Sequence, residues 1–322
     1  MKIINTAPLS EAYIRLLQEE YTFIQATPEE ESLLDENQFI RWINQENPEI
    51  IIVELNEVTR EVIQAAKALK VIVVCRGGTN NVDLDAAKKK GVIVINTPAR
   101  NAVSVAEFTI ALMINLSRYL IPSANLVRNR QWTHLMDTFY QFEGCELSGK
   151  TAGIVGLGVT GQEVAKRLKA FDMRLLGYDP VISPEMALNI GVDLVRLDDL
   201  MKQSDYVLLH AAVTDSSRNM INQATLSLMK PSAFLINMAR AALIVEEDLL
   251  KAVRSKQIAG AALDVHSVEP LPLDSSWLDT EGVILTPHLG GATHEIITRH
   301  SKMLYDDLLL IKRGKEPRNR VV

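Results

Sequence analysis

Three short segments of this 322-residue chain each set a reactive side chain just beyond an apolar run. FLINMARAALI carries Arg240, IAGAALDVHSVEP carries Asp264 and Glu269, and VILTPHLGGAT carries His288. A guanidinium grips a carboxylate through two parallel N–H bonds. An imidazole exchanges a proton near neutral pH, and an adjacent carboxylate favours its protonated form and fixes its orientation. Reduction of a 2-keto acid at carbon 2 needs those services: a cation for the carboxylate and carbonyl, and a proton for the oxygen. Taken singly, a surface arginine, a turn glutamate before Pro270 and a loop histidine after Pro287 account for the same residues. Their order behind a nucleotide motif sets them apart.

That motif is TAGIV followed by GLGVTG, with Gly156, Gly158 and Gly161, and then a helical pattern through Val164, Leu168 and Phe171. Gly156 permits a tight turn, Gly158 lets a pyrophosphate lie against bare backbone, and Gly161 allows close helix–strand packing. The helix start offers unpaired N–H groups and a positive dipole end to phosphate. A second strand, MRLLGY, ends in Asp179, 18 residues past Gly161, where a carboxylate accepts the ribose hydroxyls and repels a 2′-phosphate. No Lys or Arg follows in Pro180-Val181-Ile182, so the expected cofactor is NAD rather than NADP.

Positioning such groups requires strand ends, and the apolar pattern supplies them. Strands are expected at 2–5, 22–25, 50–53, 71–75 and 92–95, with helices near 10–19, 36–45, 59–67 and 83–90. A second series places strands at 151–155, 173–177, 205–209, 232–236, 258–263 and 282–285, and a last helix at about 292–312. Between the series, 101–130 reads as one long helix with Val105, Phe108, Ala111, Leu112 and Leu116 on its apolar face, bent or broken at Pro122. The expected fold is α/β, with two doubly wound, Rossmann-like parallel-sheet domains and a cleft between them.

Composition narrows the partners. The charge is −6 with 47% hydrophobic residues, which fits a globular protein and disfavours nucleic acid, since phosphate neutralisation needs clustered cations. The basic residues Lys312, Arg313, Lys315, Arg318 and Arg320 read as a solvated helix end and tail. Cys75 and Cys145 make neither a disulfide framework nor a metal-ligand spacing, so no metal is expected. Met1-Lys2-Ile3-Ile4 lacks the apolar core of a secretion signal, and no apolar stretch reaches membrane-spanning length, so the expectation is a cytoplasmic protein without a membrane partner.

In combination, RGGTNNVDLDAAKKKGVIVINTP, RNAVSVAEF, GLGVTG, NMARAALI, ALDVHSVEPLP and TPHLGGAT are specific, and they cover nearly the whole chain. The sequence resembles the D-isomer-specific 2-hydroxyacid dehydrogenase family, near its phosphoglycerate dehydrogenase-like branch. The resemblance implies a catalytic trio of Arg240, Glu269 and His288, with His288 as proton donor to the keto oxygen. It implies cofactor contacts from Val159, Thr160, Asp179, Met238, Ala239, Arg240, Asp264 (nicotinamide carboxamide), His288 and Gly291, with His210 on the adenine side. It also implies a flavodoxin-like substrate domain from 1–100 plus 290–322, an NAD-binding domain at 101–289, and a homodimer held by an arm at 101–145. The loop Gly77-Gly78-Thr79 would present N–H groups to the substrate carboxylate, with Arg76, Arg100 and Asn101 lining or supporting the cleft.

Departures from that pattern bear on the substrate. Arg240 is followed by Ala241 instead of glycine, His266 stands in place of an aromatic residue, and the glycine loop after Arg76 is shortened. Val53-Glu54 occupies the place of an Arg-Ser pair for a substrate phosphate, and a carboxylate there argues against a phosphorylated substrate unless Arg76 or Arg100 compensates. The chain ends soon after its last helix, so feedback through a C-terminal regulatory module is not expected. Formate dehydrogenases carry Gln where Glu269 stands, whereas phosphite-oxidising relatives keep the trio. The reading is an NAD-dependent oxidoreductase acting on a small 2-hydroxy or 2-keto acid. The alternative is an NAD(H)-sensing binding protein of the corepressor type. Which acid is the substrate is left open.

Overall fold

The computed structural model describes residues 1–26 and 34–322. The chain divides into two compact units, Met1–Arg100 with Thr293–Val322, and Asn101–Ala292. The return to the first unit thus falls in the turn before the last helix, a few residues beyond position 290.

In the first unit, β1 (Lys2–Asn5), β2 (Thr22–Gln25), β3 (Ile50–Val53), β4 (Val71–Val74) and β5 (Ile93–Asn96) form a parallel sheet in the order β2-β1-β3-β4-β5. That order is the flavodoxin-like one. The central strands read IIIV and VIVV, and every residue in them is fully buried. A strand covered by helices on both faces needs such an unbroken apolar run instead of alternation, and each buried side chain contributes about 1.5–3 kcal/mol of transfer free energy. Local chemistry sets the helix ends. Asp35 and Gln38 form a reciprocal capping box at helix Glu36–Glu46, while Thr59 and Asp83 cap helices Arg60–Ala65 and Leu84–Lys90. Gly91, at φ +74°, closes the last of these.

The C-terminal tail is more ordered than its basic composition suggests. Beyond helix His294–Lys312, residues 319–322 run antiparallel along β5, with Val321 N–H donating to Val94 O at 2.7 Å. Buried Asp307 anchors the turn into the tail by accepting from the Arg318 and Asn319 backbone N–H groups and the Asn319 amide.

The second unit holds seven parallel strands: β6 (Thr151–Val155), β7 (Arg174–Tyr178), β8 (Asp193–Leu194), β9 (Tyr206–Leu209), β10 (Phe234–Asn237), β11 (Gly260–Leu263) and β12 (Val283–Leu285). Their order is β12-β11-β10-β9-β6-β7-β8. The short β8 has no counterpart among the expected strands, because two residues leave no readable apolar run. From β6 the chain builds outward through β7 to β8, then returns to the other side of β6 with β9. Ligands of open α/β sheets gather beyond the strand ends at such a switch point.

The segment expected as one helix is divided. Helix Ala102–Arg118 stops at Tyr119, which adopts φ +52°, and a separate helix runs Leu120–Arg128. A proline ring clashes with the carbonyl four residues earlier, so Pro122 displaces the break toward Tyr119 and sits in the first turn of the new helix. The Asn115 side chain accepts the N–H of Ile121 across the break. Ala111 faces solvent and Met113 takes the buried place on the first helix, which packs on helix Val159–Leu168. A further helix, Leu135–Gln141, buries none of its residues, and neither does Leu120–Arg128. Among the described residues no single helix is long and apolar enough to cross a membrane; Ala102–Arg118 and Leu120–Arg128, bent by 66°, pass by length and composition only as a pair.

Candidate active site

The glycine turn follows β6. Gly156 sits at φ +93°, and a Cβ there would lie 2.5 Å from Ala211 N, so neither the conformation nor the space admits a side chain. A Cβ on Gly161 would meet the Gly156 carbonyl at 2.1 Å, which is the close packing that lets helix Val159–Leu168 start against the strand. An added Cβ on Gly158 meets nothing within 4 Å, so bare backbone faces open space beside exposed Val159 and half-buried Thr160. Asp179, at the end of β7, ties this turn down: Leu157 N–H donates to it at 2.8 Å, and the Val181 and Ile182 N–H groups donate to its other oxygen. The carboxylate is therefore held in place while staying partly exposed. His210, at the end of β9, keeps both ring nitrogens away from solvent and, among the described residues, without a hydrogen-bond partner, and burial pushes its pKa down to about 4. An open glycine cradle, a held carboxylate at the next strand and an enclosed neutral ring fit a dinucleotide.

The remaining candidates stand on three neighbouring strands. After β10, buried Asn237 braces the turn: its carbonyl oxygen accepts Ala239 N–H and its amide donates to Arg240 O, both at 3.0 Å. Met238 and Ala239 are buried while Arg240 is exposed, its guanidinium touching its neighbour's carbonyl, Ala239 O, at 2.6 Å. Nothing in the sequence pattern singled out Asn237; a polar residue ending an apolar strand was the available signal.

After β11 and β12, Asp264 and Glu269 meet the turn that carries His288. Asp264 is 2% exposed and accepts from Thr286 Oγ1 at 2.6 Å and from the Leu289 and Gly290 N–H groups at 2.8 Å. It shapes the turn from beneath, a role the sequence did not reveal. Gly290 packs so closely on Met238 and Asp264 that a Cβ would lie 2.5 Å from the methionine methyl, and one on Gly291 would meet the Asn101 amide at 2.9 Å. His288 adopts φ +56°, uncommon for a side chain of its size, and its N–H donates to Thr286 O at 3.0 Å. Its Nδ1 lies 2.8 Å from Glu269 Oε2. Burial works to raise the Glu269 carboxyl, but hydrogen bonds from the His288 ring and the His266 N–H, with the charge of both rings, hold it below the usual carboxylate range. Ionised Glu269 can only accept, so His288 Nδ1 carries the proton and Nε2 is left free to exchange one with a ligand.

In the first unit, Arg76 follows β4 on the exposed loop with Gly77, Gly78 and Thr79. Asn96 donates to Gly77 O at 2.7 Å, and among the described residues no acceptor meets the N–H groups of 77–79. Arg100 is committed elsewhere: its guanidinium pairs with Glu54 Oε1 and with His300 Nδ1, and His300 Nε2 donates to Pro8 O at 2.7 Å. Glu54 is thus neutralised by Arg100, and His300 is buried and bonded. Asn101 belongs to the second unit, at the start of helix Ala102–Arg118.

A doubly wound sheet with a glycine cradle, a ribose-type carboxylate and a histidine–carboxylate pair at its strand ends defines a Rossmann-type dinucleotide-binding protein. The family model for the D-isomer specific 2-hydroxyacid dehydrogenase NAD binding domain matches residues 110–290. The chain belongs to that family. It is 37% identical over 323 residues to a D-3-phosphoglycerate dehydrogenase of Methanocaldococcus jannaschii, aligning over 100% of this chain and 59% of that one. A crystal structure of a Thermus thermophilus protein superposes with a TM-score of 0.85 at 31% identity, and that of Escherichia coli D-lactate dehydrogenase with 0.81 at 28%, each covering 100% of both chains. The chain spans about half to three fifths of the length of the phosphoglycerate dehydrogenases it matches.

Proposed function

We propose that the protein is an NAD-dependent D-2-hydroxyacid dehydrogenase, interconverting a small 2-keto acid and its D-2-hydroxy acid. The observation that carries this reading is the His288–Glu269 pair, 2.8 Å apart, solvent-accessible and set on the nucleotide-binding unit. Bound NADH supplies the hydride to carbon 2. The chain's residues do the rest. Gly156, Gly158 and Gly161 with Val159 and Thr160 cradle the pyrophosphate, Asp179 takes the adenosine ribose and selects NAD, and His210 lies on the adenine side. Met238, Ala239, Asp264 and Gly291 shape the nicotinamide end. Arg240 holds the substrate carboxylate and draws charge onto the carbonyl oxygen. His288 Nε2 gives that oxygen its proton, and Glu269 steadies the ring in both protonation states.

For further substrate contacts we assign Arg76 and the N–H groups of Gly77, Gly78 and Thr79. Arg100 supports that loop's unit from within, through Glu54 and His300, and Asn101 supports the turn at Gly291. Leu120, Ile121, Trp132, Leu135, Phe139 and Tyr140 are all exposed within one short stretch whose two helices bury none of their residues, which supports a homodimer joined through this arm; the location assigned with this reading is the cytoplasm. The test is NADH oxidation with a panel of 2-keto acids, including glyoxylate, hydroxypyruvate, sugar-acid and phosphorylated members. Turnover of at least one supports the reading. NADH binding without turnover on any would replace it with an NADH-sensing role.

A further inference from the structure

We propose that His266 is a positioning residue for His288, clamping both the backbone and the ring of that histidine through two different atoms. The inference rests on His288 being the proton donor.

The two contacts converge from one residue. The His266 backbone N–H donates to Glu269 Oε1 at 2.9 Å, and the other oxygen of that carboxylate meets His288 Nδ1. The His266 ring reaches across to the β12 side, where Nε2 lies 2.9 Å from Thr286 O. A carbonyl only accepts, so Nε2 carries the hydrogen. Thr286 O is also the acceptor for the N–H of His288, and that bond accompanies the uncommon positive φ of His288. One carbonyl thus receives the backbone of the donor histidine and the ring of its neighbour, while the Thr286 hydroxyl is spent on Asp264.

Without the ring of His266, the loop after β11 and the turn after β12 lose a direct tie, and Glu269 is free to drift from His288. The loop itself stays anchored. Glu246 accepts from Ser267 Oγ at 2.5 Å and from Trp277 Nε1 at 2.6 Å. Removing the ring therefore loosens alignment without removing the loop. Alignment is what proton transfer is sensitive to, since a misplacement of about 1 Å costs on the order of 10²-fold in rate.

The test compares His266→Phe, which removes the donor, His266→Asn, too short to reach Thr286 O, and His266→Gln, which keeps an N–H at similar reach. Each is read by steady-state kinetics and by ring ¹⁵N and Nδ1–H NMR signals of His288 in the apo protein, assigned by their loss in His288→Ala. Phe and Asn are expected to lower kcat by roughly tenfold, with KM for the keto acid and NADH affinity within about twofold. They should also weaken the Nδ1–H signature of His288, and Gln should restore most of both. A Phe variant with wild-type kcat and an unchanged ring signature would overturn the proposal, as would a Gln variant as impaired as Phe. If the wild-type protein turns over no 2-keto acid, the dehydrogenase reading falls, and the ring signals alone decide whether His266 positions His288.

Discussion

Among the described residues, each unit carries a histidine–carboxylate system. In the second unit, His288 and Glu269 retain side-chain exposures of 50% and 39%. In the first, Glu54 and Arg100 retain 20% and 16%, and His300 is fully buried. Burial and the charge of Arg100 press His300 toward its neutral form, although its bond to Pro8 O and the charge of Glu54 pull the other way. Both of its ring nitrogens are spent on protein partners, whereas among the described residues His288 keeps Nε2 unspent. Under the proposed function, the same residue types therefore serve chemistry in one place and architecture in the other. What separates them is whether a polar atom is left over for a ligand.

The sharpest way to break that comparison is His288→Ala. Loss of the donor is expected to lower kcat by about 10²–10⁴-fold while NADH affinity stays near wild type; stopped-flow and fluorescence titration read the two separately. Near-normal turnover would remove the distinction altogether. Glu54→Gln tests the opposite pole. It leaves the Arg100 guanidinium largely buried without its carboxylate, and a loss of roughly 2–4 kcal/mol in unfolding free energy is expected by denaturant titration. The His288–Glu269 signals should not move.

A third histidine sharpens the contrast, because neither ring nitrogen of His210 has a hydrogen-bond partner among the described residues. Its folded pKa of about 4 lies below the ordinary imidazole value of 6.5, so the unfolded chain takes up the proton first. Its contribution to stability is present above pH 6.5 and is lost as the pH falls toward about 4. Thermal melts of the apo protein across that window should show a decline of roughly 3 kcal/mol that His210→Gln flattens. An equal decline in both would assign the acid sensitivity elsewhere. The smallest effect concerns Asp179, a carboxylate held by three N–H groups yet still reachable. Asp179→Ala is expected to raise relative use of NADP by about tenfold, measured as the ratio of kcat/KM for the two cofactors; an unchanged ratio would leave Asp179 as a turn residue only.

Much of this was legible before any coordinates. Strands such as IIIV and VIVV declare themselves as continuous apolar runs, and the glycine motif is legible from its spacing between strand and helix, although the close approach at Gly156 is to Ala211, far along the chain. The division of the long helix at Tyr119 was displaced from its apparent cause at Pro122, since a proline acts on the carbonyl four residues back. Arg100 was expected to line or support the cleft, and no local pattern told which of its partners it takes: Glu54 and His300 lie 46 and 200 residues away. Asn237 and Thr286 were illegible for a related reason, since each acts through main-chain atoms of turns whose shape no pattern encodes.

The amino-acid order by itself determined the kinds of element, the nucleotide turn and the inventory of reactive side chains, because propensity, periodicity and motif spacing are local. Only the tertiary structure decided which of those side chains keep an open atom. Hydrogen-bond saturation depends on which distant groups burial brings within about 3 Å, and it is what distinguishes His288 from His300.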